Sequence, residues 1–67
     1  MKHTPMIFKT LKSLMVSDTP LDVTQLESET GFGRRAIQRH VLTLTEVGMV
    51  HRMGTRQGGY RYKFTHP

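Results

Sequence analysis

The stretch between residues 34 and 48 constrains the fold of this chain more than any other feature of its sequence. Four of its apolar residues recur at steps of four, three and three, which at about 100° per residue makes one helical stripe: Ile37, Val41, Leu44 and Val47. The other side of the same helix is polar. Measured around the axis from Ile37, its residues lie at about 160° for Arg35, 100° for Gln38 and 200° for Arg39. The pattern predicts a helix from Arg34 to about Val47, ended by Gly48, with one buried and one polar face.

Two shorter helices are predicted upstream. A Thr-Pro pair at residues 4 and 5 is typical of a helix start, and the first helix should continue to about residue 17. Its apolar stripe consists of Ile7, Leu11, Leu14 and Met15, with Phe8 beside it. The second helix is expected near residues 23 to 29, because Asp22 and Gln25 have the spacing of a capping box and Gly31 can end the helix.

Beyond Gly48 the pattern changes from helical to alternating. Residues 49 to 53 predict a strand, residues 54 to 59 a flexible basic loop, and residues 60 to 64 a returning strand. In the returning strand, aromatic residues alternate with basic ones, the period-two signature of a half-buried hairpin. We therefore predict an α+β fold, a winged helix-turn-helix of three helices followed by a two-stranded β-hairpin wing, with residues 1–67 as a single domain.

The absence of cysteine in this chain of 67 residues excludes several classes of protein. Disulfides and cysteine zinc sites need thiols, and the four histidines lack the spacing of metal ligands, so we expect no metal and no other cofactor. No nucleophile has a His-Asp context, and we do not expect an enzyme. Neither a signal peptide nor about 20 consecutive apolar residues can be found, so we expect a cytoplasmic protein without a membrane partner.

The net charge of +5 is concentrated in the second half of the chain. Residues 1 to 30 contain three Lys and four acidic residues, whereas residues 31 to 67 contain seven Lys or Arg and only one acidic residue, Glu46. Six of those seven are Arg, whose planar guanidinium groups suit phosphates and guanine edges. This one-sided distribution favours nucleic acid as a partner over a merely solvated surface.

Residues 31 to 50, GFGRRAIQRHVLTLTEVGMV, resemble the turn and recognition helix of winged helix-turn-helix bacterial and phage transcriptional regulators, most of all the IclR-type DNA-binding domain. The similarity extends from about Leu21 to Phe64, with DVTQL at residues 22 to 26 starting the second helix and GYRY at 59 to 62 forming the return of the wing. It implies a third helix in the major groove and a wing on the backbone or minor groove. Gly33 departs from the pattern, since Ser, Thr or Pro is commoner there. No effector domain follows the wing, so we expect no small-molecule effector.

Ten residues are candidates for contact with double-stranded DNA. Arg35 suits the O6 and N7 atoms of guanine, and Gln38 suits the N6 and N7 atoms of adenine. Arg34 and Arg39 are expected to contact either bases or phosphates. Thr24 lies near the start of the second helix, where a phosphate can accept hydrogen bonds, and Arg56 is the first candidate on the wing. The full set is Thr24, Arg34, Arg35, Gln38, Arg39, Arg52, Arg56, Gln57, Arg61 and Lys63.

Several alternatives remain open at this point. Arg39 can instead pair with Glu46 or with an acid of the second helix, and the aromatic residues of the wing are expected in the core rather than as stacking platforms. A winged helix can also serve as a protein-interaction adaptor in a replication or transcription complex, or bind nucleic acid without sequence preference. The first helix is apolar around most of its circumference, which predicts a homodimer with this helix as its seam.

Overall fold

The structure, a computed structural model, describes residues 6–65. Three helices are followed by a two-stranded antiparallel β-hairpin, which confirms the α+β winged-helix topology. The elements are α1 (Met6–Val16), α2 (Val23–Thr30), α3 (Arg34–Glu46), β1 (Val50–Thr55) and β2 (Gly59–Phe64). The predicted cap at Thr4 and Pro5 lies outside the described residues. Within the described residues, all three helices therefore form close to where hydrophobic periodicity places them.

The second helix is capped as its sequence predicts. The carboxylate Oδ1 of Asp22 accepts a hydrogen bond from the Gln25 backbone N–H at 2.8 Å, and the Asp22 N–H donates to Gln25 Oε1 at 2.9 Å. This reciprocal pair satisfies two backbone donors that a helix start otherwise leaves free. At the C-termini of α2 and α3, Gly31 and Gly48 both adopt left-handed conformations, with φ values of 80° and 85°. Both helices thus end near a glycine in the left-handed conformation, as the sequence predicts.

The hairpin is longer, and its turn tighter, than the alternation indicated. The prediction of a six-residue loop at 54 to 59 was wrong, because residues 54 and 55 belong to β1 and residue 59 belongs to β2. Gly54 has a φ of 98°, and a Cβ there would overlap the carbonyl oxygen of Gly59, so only glycine lets the strands approach at this point. The Thr55 hydroxyl accepts a hydrogen bond from the Gly58 N–H at 2.9 Å and closes the turn.

A one-residue bridge joins the hairpin to the helices. Leu21, in the segment between α1 and α2, exchanges two backbone hydrogen bonds with Tyr62 of β2, at 2.9 and 2.8 Å. Both side chains are buried. Since a single residue has no periodicity, the sequence pattern did not predict this third, minimal strand. It fixes the position of β2 relative to the start of α2.

The core lies between the three helices and one face of the hairpin. Its buried members are Leu11, Leu14, Leu21, Leu26, Ile37, Val41, Leu44, Val50 and Tyr62. Two residues predicted in apolar stripes are exposed instead: Met15, with 48% of its surface accessible, and Val47, with 63%. Met15 lies about 100° around α1 from Leu14, at the margin of the buried face. Val47 follows the last residue of α3, where the chain already turns towards β1.

A polar contact that the sequence did not predict holds α1 against α3. Thr10 is fully buried, and its Oγ1 lies 2.8 Å from His40 Nδ1. The His40 ring also meets the edge of Phe32, with ring centroids 5.6 Å apart. Burial lowers the pKa of His40 below its usual value, and the positive charge of Arg39 lowers it further. Nδ1 of neutral His40 can accept a hydrogen bond from the Thr10 hydroxyl, so this junction is satisfied in its uncharged form.

Candidate nucleic-acid interface

The outward face of α3 presents a row of exposed side chains. Arg35, Gln38 and Arg39 are all exposed, and Leu42 stands beside them with 56% of its surface accessible. No hydrogen bond or ion pair within residues 6–65 engages the three polar side chains, so their donors face solvent. The alternative in which Arg39 pairs with Glu46 or with an acid of α2 is not what the structure contains. Of the predicted site, these three residues lie together as the helical angles indicated.

Arg34 sits at one edge of this row and is held by α2. Its Nη2 donates to the Thr24 hydroxyl at 3.1 Å, and its Nε lies 3.7 Å from Glu27 Oε2. The Arg34 side chain is 57% exposed, so the ion pair is weak and screened by solvent. The structure therefore brings two predicted phosphate contacts, Thr24 and Arg34, into one cluster. The acidic partner, Glu27, was not assigned to it from the sequence.

Arg52 approaches α3 from the hairpin. In the strand register Arg52 lies opposite Tyr62, on the hairpin face that is turned to the core, and its guanidinium stacks 4.4 Å from the centroid of the Tyr60 ring. This cation–π contact holds the guanidinium near α3, where Arg52 lines a surface cleft together with Gln38 and Leu42. Tyr60 was predicted only as a core residue. Half-buried, it also positions a basic side chain.

The remaining wing residues lie elsewhere on the hairpin. Arg56 and Gln57 are exposed in the turn, at the tip. Arg61 and Lys63 project from the strand face opposite Tyr60 and Tyr62. Lys63 is half-buried, and its Nζ donates to the Ser17 carbonyl at 3.3 Å, near the end of α1. The ten predicted residues thus form a row of three on α3, one flanking cluster of Thr24 and Arg34, the single residue Arg52 on the other flank, two residues at the tip, and a separate pair on the far side of the wing.

Two adjoining clefts run along α3. One lies between α3 and β1, and the other lies between the starts of α2 and α3 and the strand β2. Gln38 and Tyr62 line both clefts, so Gln38 stands on the ridge that separates them. The Thr24 and Arg34 cluster borders the second cleft, and Arg52 borders the first. Each cleft thus contains one basic side chain, Arg52 in the first and Arg34 in the second.

Comparisons with known proteins neither support nor oppose this assignment. The chain matches no protein-family model, and it matches none of the curated proteins. Within residues 6–65, no helix has the length and apolar character needed to span a membrane. In the same residues, no three His, Asp or Glu side chains gather as potential metal ligands. The similarity to IclR-type domains therefore stays a prediction from the sequence, and the geometry of α3 and the hairpin carries the functional argument.

Proposed function

We propose that this protein is a sequence-specific double-stranded DNA-binding transcriptional regulator, with α3 in the major groove. The observation that carries the proposal is the row of exposed donors on α3 that have no partner within residues 6–65, while the opposite face of the helix is buried in the core. A major groove about 12 Å wide admits one helix, and the side chains on its outward face then reach base edges. Arg35 supplies a bidentate fork for guanine, and Gln38 supplies the paired donor and acceptor that adenine requires.

The hairpin and the edge of α2 supply contacts to the backbone. Arg52 stands beside α3, and Arg56 at the tip extends to a neighbouring phosphate or into the minor groove. Arg34 and Thr24 lie on the opposite flank, where a phosphate can displace Glu27 from the exposed ion pair at little cost. Such contacts fix the register of α3 on the duplex without reading sequence. Arg61 and Lys63, on the far strand face, contribute mainly to the overall positive field.

We further propose that the regulator is a homodimer that acts on DNA in the cytoplasm. Four apolar side chains of α1 are exposed, namely Met6, Phe8, Met15 and Val16. Phe8, Met15 and Val16 fall within about 100° around the axis of α1, and covering these three with a second copy removes apolar surface from water. A two-fold axis at α1 would let two α3 helices read half-sites about 34 Å apart. Light scattering of the eluted peak at tens of micromolar should give twice the chain mass, and Phe8→Glu should give the monomer mass. A monomer for the parent chain would contradict the dimer.

Selection from random duplexes tests the function itself. At a fixed salt concentration near 0.15 M, repeated rounds of selection should return a short, two-fold symmetric site, and the affinity for it should fall steeply as salt rises. Recovery of unenriched sequences with measurable binding would instead indicate non-specific nucleic-acid binding. If no duplex is retained, the protein does not bind double-stranded DNA. That result would favour an adaptor role, in which the basic face contacts an acidic protein.

A further inference from the structure

The outward face of α3 contains an exposed apolar residue, Leu42, whose side chain is not suited to contact with the phosphate backbone of DNA. Leu42 is four residues beyond Gln38 and three beyond Arg39, so all three lie on the same side of the helix. Its side chain is 56% exposed and lines the cleft between α3 and β1, next to Arg52. Residues 37, 41 and 44 already complete the buried stripe of α3, and Leu42 takes no part in the core.

We propose that Leu42 is a specificity residue that recognises the C5-methyl group of a thymine in the major groove. This inference rests on the proposed function and names a base within its site. A leucine side chain neither donates nor accepts hydrogen bonds, so it gains nothing from a phosphate or from the polar atoms of a base edge. Among the base edges of the major groove, the thymine methyl is the apolar group, and contact with it removes apolar surface of both partners from water.

The position of Leu42 limits which thymine it contacts. Four residues of α-helix at about 1.5 Å each place Leu42 about 6 Å along the axis from Gln38. Successive base pairs are about 3.4 Å apart, so the thymine lies within about two base-pair steps of the base that Gln38 reads. With adenine as the partner of Gln38, this part of α3 selects a short A·T-containing segment, while Arg35 selects guanine nearer the start of the helix.

Replacement of thymine by deoxyuracil tests the contact, because it removes the methyl group and leaves base pairing intact. In the duplex obtained by selection, each thymine is replaced in turn and affinity is measured by fluorescence anisotropy at constant salt. The parent protein should lose about fourfold in affinity at one thymine per half-site, as expected for one methyl group returned to water. Leu42→Ala should bind the thymine and deoxyuracil duplexes equally at that position.

Two controls separate the contact from general effects. Val47→Ala shortens another exposed aliphatic residue, at the end of α3 and about 140° around the axis from Leu42, and it should keep the full preference for thymine. The urea midpoint of Leu42→Ala should match that of the parent, because the side chain lies outside the core.

Three results would overturn the inference. If the parent protein binds one selected site but tolerates deoxyuracil at every position, Leu42 is an ordinary surface leucine and the proposed function still stands. If Leu42→Ala discriminates thymine from deoxyuracil as strongly as the parent does, another residue contacts the methyl. Absence of any sequence-selective binding would overturn this inference and the proposed function together.

Discussion

The two faces of α3 differ in every property that decides what a helix face does. On the inner face, Ile37, Val41 and Leu44 are buried, and His40 is tied to Thr10 of α1. On the outer face, Arg35 and Gln38 stand in solvent without partners in the described part of the chain. The inner face is therefore packed within one copy of the protein, whereas the donors of the outer face have no protein partner among residues 6–65 and stand open to solvent.

The difference between the faces shows that the fold of this domain uses only one side of α3. A domain of this size buries only about 60% of the surface that its unfolded chain exposes, so each buried contact matters for stability. Because the core takes one side of α3 and leaves the other free, substitutions on the two faces should have separate effects. Inner-face changes should alter the free energy of unfolding, and outer-face changes should alter binding alone.

The largest effect is expected from Ile37→Ala on the inner face. Ile37 is fully buried, and truncation leaves a cavity among the core side chains, at a cost of about 2 to 5 kcal/mol. Total stabilities of small domains are often of this size, so the variant should be largely unfolded at 37 °C. Urea denaturation followed by circular dichroism measures the loss. A midpoint equal to that of the parent would mean that α3 is not packed as described.

Arg35→Ala should act on binding and leave folding intact. Loss of a bidentate guanine contact should weaken binding to the selected site by about 1 to 3 kcal/mol and relax the preference at one base pair. Arg56→Ala, at the tip of the wing, should instead weaken selected and random duplexes alike and reduce the salt dependence by about one phosphate contact. Anisotropy titrations at several salt concentrations distinguish the two patterns. Identical behaviour of both variants and the parent would argue against DNA as the partner.

The inner face should also give the protein a pH-dependent stability. Because the pKa of His40 is lower in the folded chain than the ordinary value of about 6.5, the unfolded chain binds its proton more readily. The contribution of neutral His40 is thus fully present above pH 6.5 and is lost as the pH falls through the folded pKa. Melting temperatures measured from pH 7.5 to 5.5 should decline for the parent and decline less for His40→Asn.

A matched control for this pH effect is His51→Asn. His51 is exposed on β1 and lies outside the contact between Thr10 and His40, so this variant should keep the decline of the parent. Equal declines for the parent and His40→Asn would contradict a role for His40 in the junction.

The smallest effect is expected at the edge between the two faces. Arg34→Ala removes an exposed ion pair with Glu27 and a hydrogen bond to Thr24, which should change the free energy of unfolding by less than about 1 kcal/mol. DNA affinity should nevertheless fall for selected and random duplexes alike, since Arg34 is placed as a phosphate contact. A large loss of stability with unchanged affinity would assign Arg34 to the fold rather than to the interface.

Local signals in the sequence predicted most of the fold. The capping pair Asp22 and Gln25, the terminators Gly31 and Gly48, and the stripe of α3 depend on neighbours within one or two turns, and the structure contains them as expected. The burial of residues at the margins of the apolar stripes was predicted wrongly. Periodicity gives the angle of a side chain around its helix, but not how far the packing partner extends over that helix. Met15 and Val47 are exposed for this reason.

Long-range contacts could not be predicted in the same way. The Thr10 and His40 contact joins residues 30 positions apart, and its polar members break the apolar pattern rather than mark it. The bridge from Leu21 to Tyr62 and the stacking of Arg52 on Tyr60 likewise depend on strand register. For the candidate site, helical angles placed Arg35, Gln38 and Arg39 together. They did not separate Arg61 and Lys63 from that surface, because the alternation in β2 gives the face of the strand but not how that face lies relative to α3.

The most direct test of the account compares the parent with the double variant Arg35→Ala, Gln38→Ala on a selected and a scrambled duplex at 0.15 M salt. The parent should prefer the selected duplex by at least about 1,000-fold, and the double variant should lose most of this preference, retain binding to the scrambled duplex and unfold at the same urea concentration as the parent. Equal affinity of the parent for both duplexes, or an undiminished preference in the double variant, would contradict sequence reading by the outer face of α3.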